Sequence, residues 1–140
     1  TVASEGLEAL SPEQREALPP LDLEDEAHRA LVMAELGGAH HGADDEAALE
    51  RFYTAQVVWD ETMAERVAEA IERSDAPTRM VVFAGAMHVR AGLGIPNRAA
   101  RRGAAPYRTV LVAADEDELD TLLEADPPAA DYVWLPGDDD

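Results

Sequence analysis

With 140 residues, 46% of them hydrophobic, the chain has material for one domain or part of one, burying roughly two-thirds of its unfolded surface. Its formal charge is −19 and all 11 basic residues are arginines, a field that repels phosphate backbones and anionic lipid and so argues against nucleic-acid or membrane-surface binding. There is no cysteine for disulfides, thiolate metal sites or nucleophilic catalysis, and no apolar run of about 18 residues to span a bilayer.

The chain opens at Thr1 with neither initiator methionine nor signal peptide, so we expect a processed product or the back part of something longer. Ser11-Pro-Glu-Gln14 is a capping box with proline in the first helical turn, and Pro19-Pro20 ends that helix. A rigid linker follows through Leu23. Glu24 to Leu36 then carries Ala27, Leu31, Ala34 and Leu36 among charges, and Gly37-Gly38 is expected to stop the helix. His40-His41-Gly42 is a loop whose histidines either bind metal or haem or simply face solvent. Residues 1–43 thus read as a helical region, and residues 44–140 as a long helix followed by an α/β core.

The long helix is expected from Asp44-Asp45, whose carboxylates suit an amino terminus, to Arg73 at the other end. Leu49, Phe52, Trp59, Met63, Val67, Ala70 and Ile71 recur at helical spacing and mark its expected buried face. Tyr53, Gln56, Asp60 and Ala64 stack on the neighbouring stripe. Two readings stand for the three polar ones: a shoulder satisfied by backbone and water, or groups facing the same crevice as His88. That histidine follows the apolar run Met80 to Ala84 and Gly85, which read as a buried strand entering a turn. The carboxyl end of such a strand is where open α/β sheets place ligands, and Gly85, Gly92 and Gly94 keep the backbone there narrow.

Beyond it, Pro96 to Gly103 reads as a short helix, Tyr107 to Ala113 as a second strand, Asp115 to Ala125 as an acidic surface helix, and Tyr132 to Leu135 as a last, edge strand. The order predicts an α/β fold: a helical amino-terminal part, then strand-helix-strand-helix-strand with a parallel sheet and right-handed crossovers. Three strands cannot shield Met80 to Ala84 on both faces, so further strands are expected from elsewhere.

No phosphate-binding loop, Gly-x-Ser-x-Gly or His-Glu-x-x-His motif is present. What remains is His88, the Tyr53/Gln56/Asp60 stripe, Glu61 beside Asp60, and arginines at 90, 98, 101 and 102. Histidine and carboxylates suit Zn, Mn or Fe; histidine and tyrosine also ligate haem iron, and arginines pair with its propionates. Residue chemistry alone leaves these readings open beside a structural histidine and a solvated arginine cluster.

The string Ala55-Gln-Val-Val-Trp-Asp-Glu-Thr-Met-Ala64, followed by Val81-Val-Phe-Ala-Gly-Ala-Met-His-Val89 and Gly94-Ile-Pro96, resembles the ChaN family of haem-binding uptake proteins. Glu5-Gly-Leu-Glu-Ala-Leu-Ser-Pro-Glu-Gln14 through Leu18-Pro-Pro20 is similar to the region preceding those motifs. The resemblance implies an α/β fold with helical insertions and haem binding for iron acquisition at the bacterial cell envelope. Members are typically lipoproteins, and haem can lie between two subunits. In the wider superfamily, which includes the Tiki and TraB proteins, a Gly-x-x-His motif falls here on Gly85 and His88, and Tiki proteins are metal-dependent proteases. The family's amino-terminal half, with its Gly-Glu-x-His type motif, has no counterpart in this sequence. The partner expected is therefore that half, or a second chain in a homo-oligomer.

Two functions follow from the resemblance, binding being favoured over catalysis. In the first, Tyr53, His88, His40 or His41 ligates haem iron. Trp59 and Met63 then pack on the porphyrin beside Gln56, Asp60 and Gly85, and Arg90 or Arg98 pairs with propionates. In the second, a metal-dependent hydrolase uses His88 as a ligand to Zn or Mn or as an acid/base group, with acidic groups from Asp60, Glu61 and the missing half and a metal-bound water as nucleophile; the candidate metal ligands are thus His88, Tyr53 (to haem iron) and Glu61. A lapsed site that leaves only an acidic partner-binding surface is the blander third.

Overall fold

The computed structural model describes residues 1–39, 46–75 and 79–137. The chain forms two compact units, Thr1–Arg66 and Val67–Asp140. His40, His41 and the expected helix start at Asp44-Asp45 lie outside the described residues.

The first unit is helical. Helices α1 (Val2–Glu5) and α2 (Pro12–Glu16) precede α3 (Glu26–Ala39) and α4 (Glu46–Glu72), which continues past Arg66 into the second unit. The capping box forms as its residues dictate: Gln14 N–H donates to Ser11 Oγ at 3.2 Å, and Ser11 N–H donates to Gln14 Oε1 at 2.9 Å. Helix α2 stops before Pro19-Pro20, as expected.

Helix α3 corrects the sequence reading at both ends and on its face. Asp25 Oδ1 accepts the backbone N–H of His28 at 3.0 Å, which caps the helix later than Glu24. At the far end the helix runs through Gly37-Gly38 to Ala39, because interior glycine costs only about 1 kcal/mol each when no left-handed turn is taken. Its buried stripe is His28, Val32 and Leu36, at successive spacings of four, whereas Ala27 and Ala34 are exposed.

Helix α4 reverses the expected assignment of faces. Tyr53, Gln56, Val57, Asp60, Glu61 and Ala64 are buried. Leu49, Phe52, Met63, Val67, Ala70 and Ile71 are only half-buried, and Trp59 is 48% exposed. Counting apolar residues picks the wrong stripe here because the polar one finds partners in α3 and in the segment before it, which removes the penalty for burying it.

In the second unit, Ile95–Arg101 (α5) carries proline in its first turn and ends at Arg102, with Gly103 at φ +97° beyond it. Strand β1 (Val110–Val112), helix α6 (Glu116–Leu123) and strand β2 (Tyr132–Trp134) form a strand-helix-strand unit whose strands are parallel, with Val110 beside Tyr132 and Val112 beside Trp134. The architecture is α/β, with a parallel sheet, as expected. Asp115 Oδ1 caps α6 by accepting Glu118 N–H at 2.8 Å. Leu119 and Leu122 of α6 then pack on Leu111, Ala113, Ala129 and Val133, where a fully buried leucine contributes about 2 kcal/mol.

The expected strand at Met80 to Ala84 does not form. The segment lies outside any helix or strand, with Val81 76% and Phe83 93% exposed. A β-branched run becomes a strand only where a neighbouring backbone takes its N–H and C=O groups, and the strands in this unit pair with each other.

Candidate functional site

The residues singled out from sequence fall into two places, each internally ordered. Tyr53, Gln56, Trp59, Asp60, Glu61 and Met63 belong to the first unit, while Gly85, His88 and Arg90 belong to the second.

In the first unit the stripe on α4 is an interior polar cluster. Asp60 Oδ2 lies 3.0 Å from His28 Nε2, and both side chains are fully buried. Tyr53, 1% exposed, directs its hydroxyl at the carbonyls of Leu23 and Asp25, each 3.4 Å away. Its ring is 5.7 Å from that of His28, and the Arg29 guanidinium lies over it at 4.8 Å, held in turn by an ion pair with Glu50. Glu61 Oε1 accepts the backbone N–H of Asp22 at 3.4 Å. Tyr53 and Glu61 thereby fasten the segment at 22–25 to α4, and His28 with Asp60 joins α3 to it. Gln56, 1% exposed, completes the buried stripe. Trp59 and Met63 lie off this stripe, each partly exposed.

Sequence reasoning missed His28. The signal was available, since His28 stands four residues before Val32 and eight before Leu36, three after a residue able to cap the helix. Treating alanine as the mark of the buried face concealed it.

The second unit holds the Gly85-x-x-His88 turn. His88 N–H donates to Gly85 O at 3.0 Å and closes a 3-10 turn, Ala86–His88. A β-carbon on Gly85 would lie 3.7 Å from His88 Cδ2, so the half-buried imidazole hangs over that glycine. Gly94 backs the turn from the other side: a β-carbon there would collide with the His88 carbonyl, which makes glycine a steric requirement. Arg98, expected as a partner for anionic ligand groups, is instead fully buried, and its Nη1 donates to the carbonyl oxygens of Leu93 and Gly94. It is a brace for the turn that follows His88. Arg90 is half-buried, two residues beyond the histidine.

Nearby in the same unit, Asp131 Oδ2 accepts both the N–H and the hydroxyl of Thr109, at 2.8 and 2.9 Å. These two donors, more than the Arg108 guanidinium, hold the Asp131 carboxyl below the usual carboxylate range. Among the described residues, no three His, Asp or Glu side chains gather as a metal site, and no helix is long and apolar enough to cross a membrane.

A family model described as haem-binding uptake, Tiki superfamily, ChaN matches residues 1–99. Over 84 residues the chain is 33% identical to Protein RETICULATA-RELATED 5, chloroplastic, from Arabidopsis thaliana; the match covers 57% of this chain and 11% of that protein. The chain therefore spans only a small part of that relative's length. No solved structure matches it. The matched region takes in both the buried stripe of α4 and the Gly85-x-x-His88 turn. This chain belongs to the haem-binding uptake family of ChaN type, in the Tiki superfamily.

Proposed function

We propose that the chain binds haem, for uptake, with His88 as the iron ligand. The observation that carries this reading is the placement of the half-buried His88 three residues after Gly85, immediately beyond an apolar run whose Val81, Val82 and Phe83 stand 76%, 42% and 93% exposed. Haem asks for a nitrogen or phenolate donor, an apolar surface for the porphyrin and cations for its propionates. His88, the 81–83 run and Arg90 offer that donor set within one unit, so the residues fit the group. When bound, haem supplies an iron whose coordination position the imidazole takes. The chain's own contribution is to hold that imidazole: the Gly85 carbonyl fixes the turn's backbone, Gly94 makes room behind it, and Arg98 ties down the carbonyls that follow.

Tyr53 is the competing ligand. Its hydroxyl is occupied by two carbonyls inside the first unit, which favours a structural role for it in this chain. Membership of a haem-uptake family supports a cell-envelope location. The metal-hydrolase alternative has no comparable grouping of ligands among the described residues.

Haemin titration followed in the Soret region tests the reading. A saturable band is expected, with affinity falling at least about tenfold in His88→Ala and staying within about twofold in Tyr53→Phe. Wild-type binding by His88→Ala together with loss in Tyr53→Phe would transfer the ligand role to Tyr53, and a non-saturating free-haemin spectrum would remove haem binding altogether.

A further inference from the structure

The turn that carries His88 is fastened at three points to the strand-helix-strand part of its own unit. Val89, half-buried, packs on the cluster of Leu111, Ala113, Leu122 and Ala129. Ala91 N–H donates to the Ala129 carbonyl at 2.6 Å. Gly92 leaves its side-chain space to Tyr107, since a β-carbon there would lie 3.1 Å from the phenol oxygen. All of these partners lie beyond residue 99, where the family match ends.

The middle point is held in a conformation that its own residue disfavours. Ala91 sits at φ +52° and ψ 13°, and among the described residues it alone, glycines aside, has a positive φ. There an L side chain crowds its own carbonyl, whereas Gly92, at φ +70°, takes the same region without that cost. Backbone of this kind persists only where its surroundings over-determine it, and it gathers at ligand sites, which need one fixed geometry. Here the surroundings are the Ala129 carbonyl and the packed Val89. Alanine also confines the turn once it is held, because the left-handed region open to it is one small well and that of glycine is broad. The two left-handed residues reverse the chain, and Gly94 then backs onto the His88 carbonyl.

We propose that Ala91 is a positioning residue for the His88 imidazole: its left-handed backbone, clamped by the Ala129 carbonyl, aims the ring, so the chain beyond residue 99 sets how the iron is ligated. The ligation half of this statement rests on the haem reading above, whereas the aim of the ring is a property of the haem-free chain.

Three substitutions in the whole chain separate aiming from stability. Each is read by haemin affinity, by the electron paramagnetic resonance of the ferric complex and by the urea midpoint. A fourth readout needs no haem: the Overhauser contact between the His88 Cδ2 proton and the Gly85 α protons, which the closeness of that ring to Gly85 predicts. Asparagine tolerates left-handed backbone, so Ala91→Asn is expected to bind haemin within about twofold of wild type, with the resonance and the Overhauser contact kept. Ala91→Val, whose β-branch does not, should lose at least about tenfold in affinity together with that contact. Ala91→Gly decides the matter even if the valine variant does not fold. Relief of strain should hold or raise its urea midpoint, while the freedom that glycine restores should weaken binding about threefold, weaken the Overhauser contact and broaden the resonance. Stability kept while aim is lost is a split that a merely structural residue does not give. Wild-type Overhauser intensity and affinity in Ala91→Gly overturn the proposal, as does their retention in a folded Ala91→Val. If the wild-type chain shows no saturable haemin binding, the haem reading fails by itself, and the Overhauser contact in the same variants still upholds or overturns the aiming role.

Discussion

Asp60 and His28 depend on each other because neither reaches water. With both side chains fully buried and 3.0 Å apart, removal of one leaves the other's polar atoms without their nearest partner, in an interior where that omission costs several kcal/mol. Asp60→Ala is accordingly expected to lower unfolding stability by about 3 kcal/mol in urea denaturation, and Asp60→Asn, which keeps the volume and an acceptor, by less. His28→Ala on the Asp60→Ala background should add little, the signature of a coupled pair. A loss below about 1 kcal/mol in Asp60→Ala, or full additivity with His28→Ala, would show that the two side chains are merely neighbours. Haem affinity should be indifferent to both changes if His88 is the iron ligand, because both side chains are fully buried where α3 meets α4.

The smallest element whose stability can be read from its geometry is the β1/β2 pair. Its amino end is tied by Thr109 and Asp131, and Tyr132 N–H donates to Thr109 O at 3.1 Å just beyond them. The Asp131 carboxyl is lowered in the folded state, so its contribution is fully present above its unfolded value and is lost as pH falls through the folded one. Amide exchange at Tyr132 should therefore accelerate as pH drops from about 5 towards 2, after correction for the intrinsic rate, and Asp131→Asn should remove that component while leaving the rest of the acid transition. Unchanged acid sensitivity in Asp131→Asn would locate the cause in other carboxylates. The same elements show what a sequence can tell. Helix α2 was legible because its capping box and prolines act within a few residues of themselves. Strands β1 and β2 were legible in place and direction, though each is shorter than its apolar run, because the crossover through α6 is local too. The buried face of α4 was not legible: whether Tyr53, Gln56 and Asp60 can be inside depends on His28 and on the carbonyls of Leu23 and Asp25, some thirty residues earlier. The run at Met80 to Ala84 failed as a strand for the same reason, since strand formation is a property of pairs. Of the candidate site, the Gly85-x-x-His88 turn could be read from its glycines, whereas the burial of Arg98 could not be told from its charge.

At the scale of the whole molecule, charge is the dominant feature, and its consequence runs opposite to the usual effect of salt on surface ion pairs. Thirty carboxylates face 11 arginines, and the first unit alone carries 16 acidic residues against four arginines. At an ionic strength of about 0.01 M the screening length is about 30 Å, so carboxylates repel across the width of a unit; at 0.15 M it falls to about 8 Å and only neighbours interact. Screening also weakens attractive pairs such as Arg29 with Glu50 and Arg73 with Glu69, but exposed pairs of that kind contribute at most about 1 kcal/mol each. Repulsion should win, and the melting temperature is expected to rise by several degrees as NaCl goes from about 0.01 to 0.3 M, with most of the gain below 0.15 M. That early saturation separates screening from the salting-out of apolar surface, which keeps growing at molar salt. A melting temperature that falls over the same range would mean that ion pairs outweigh the net charge.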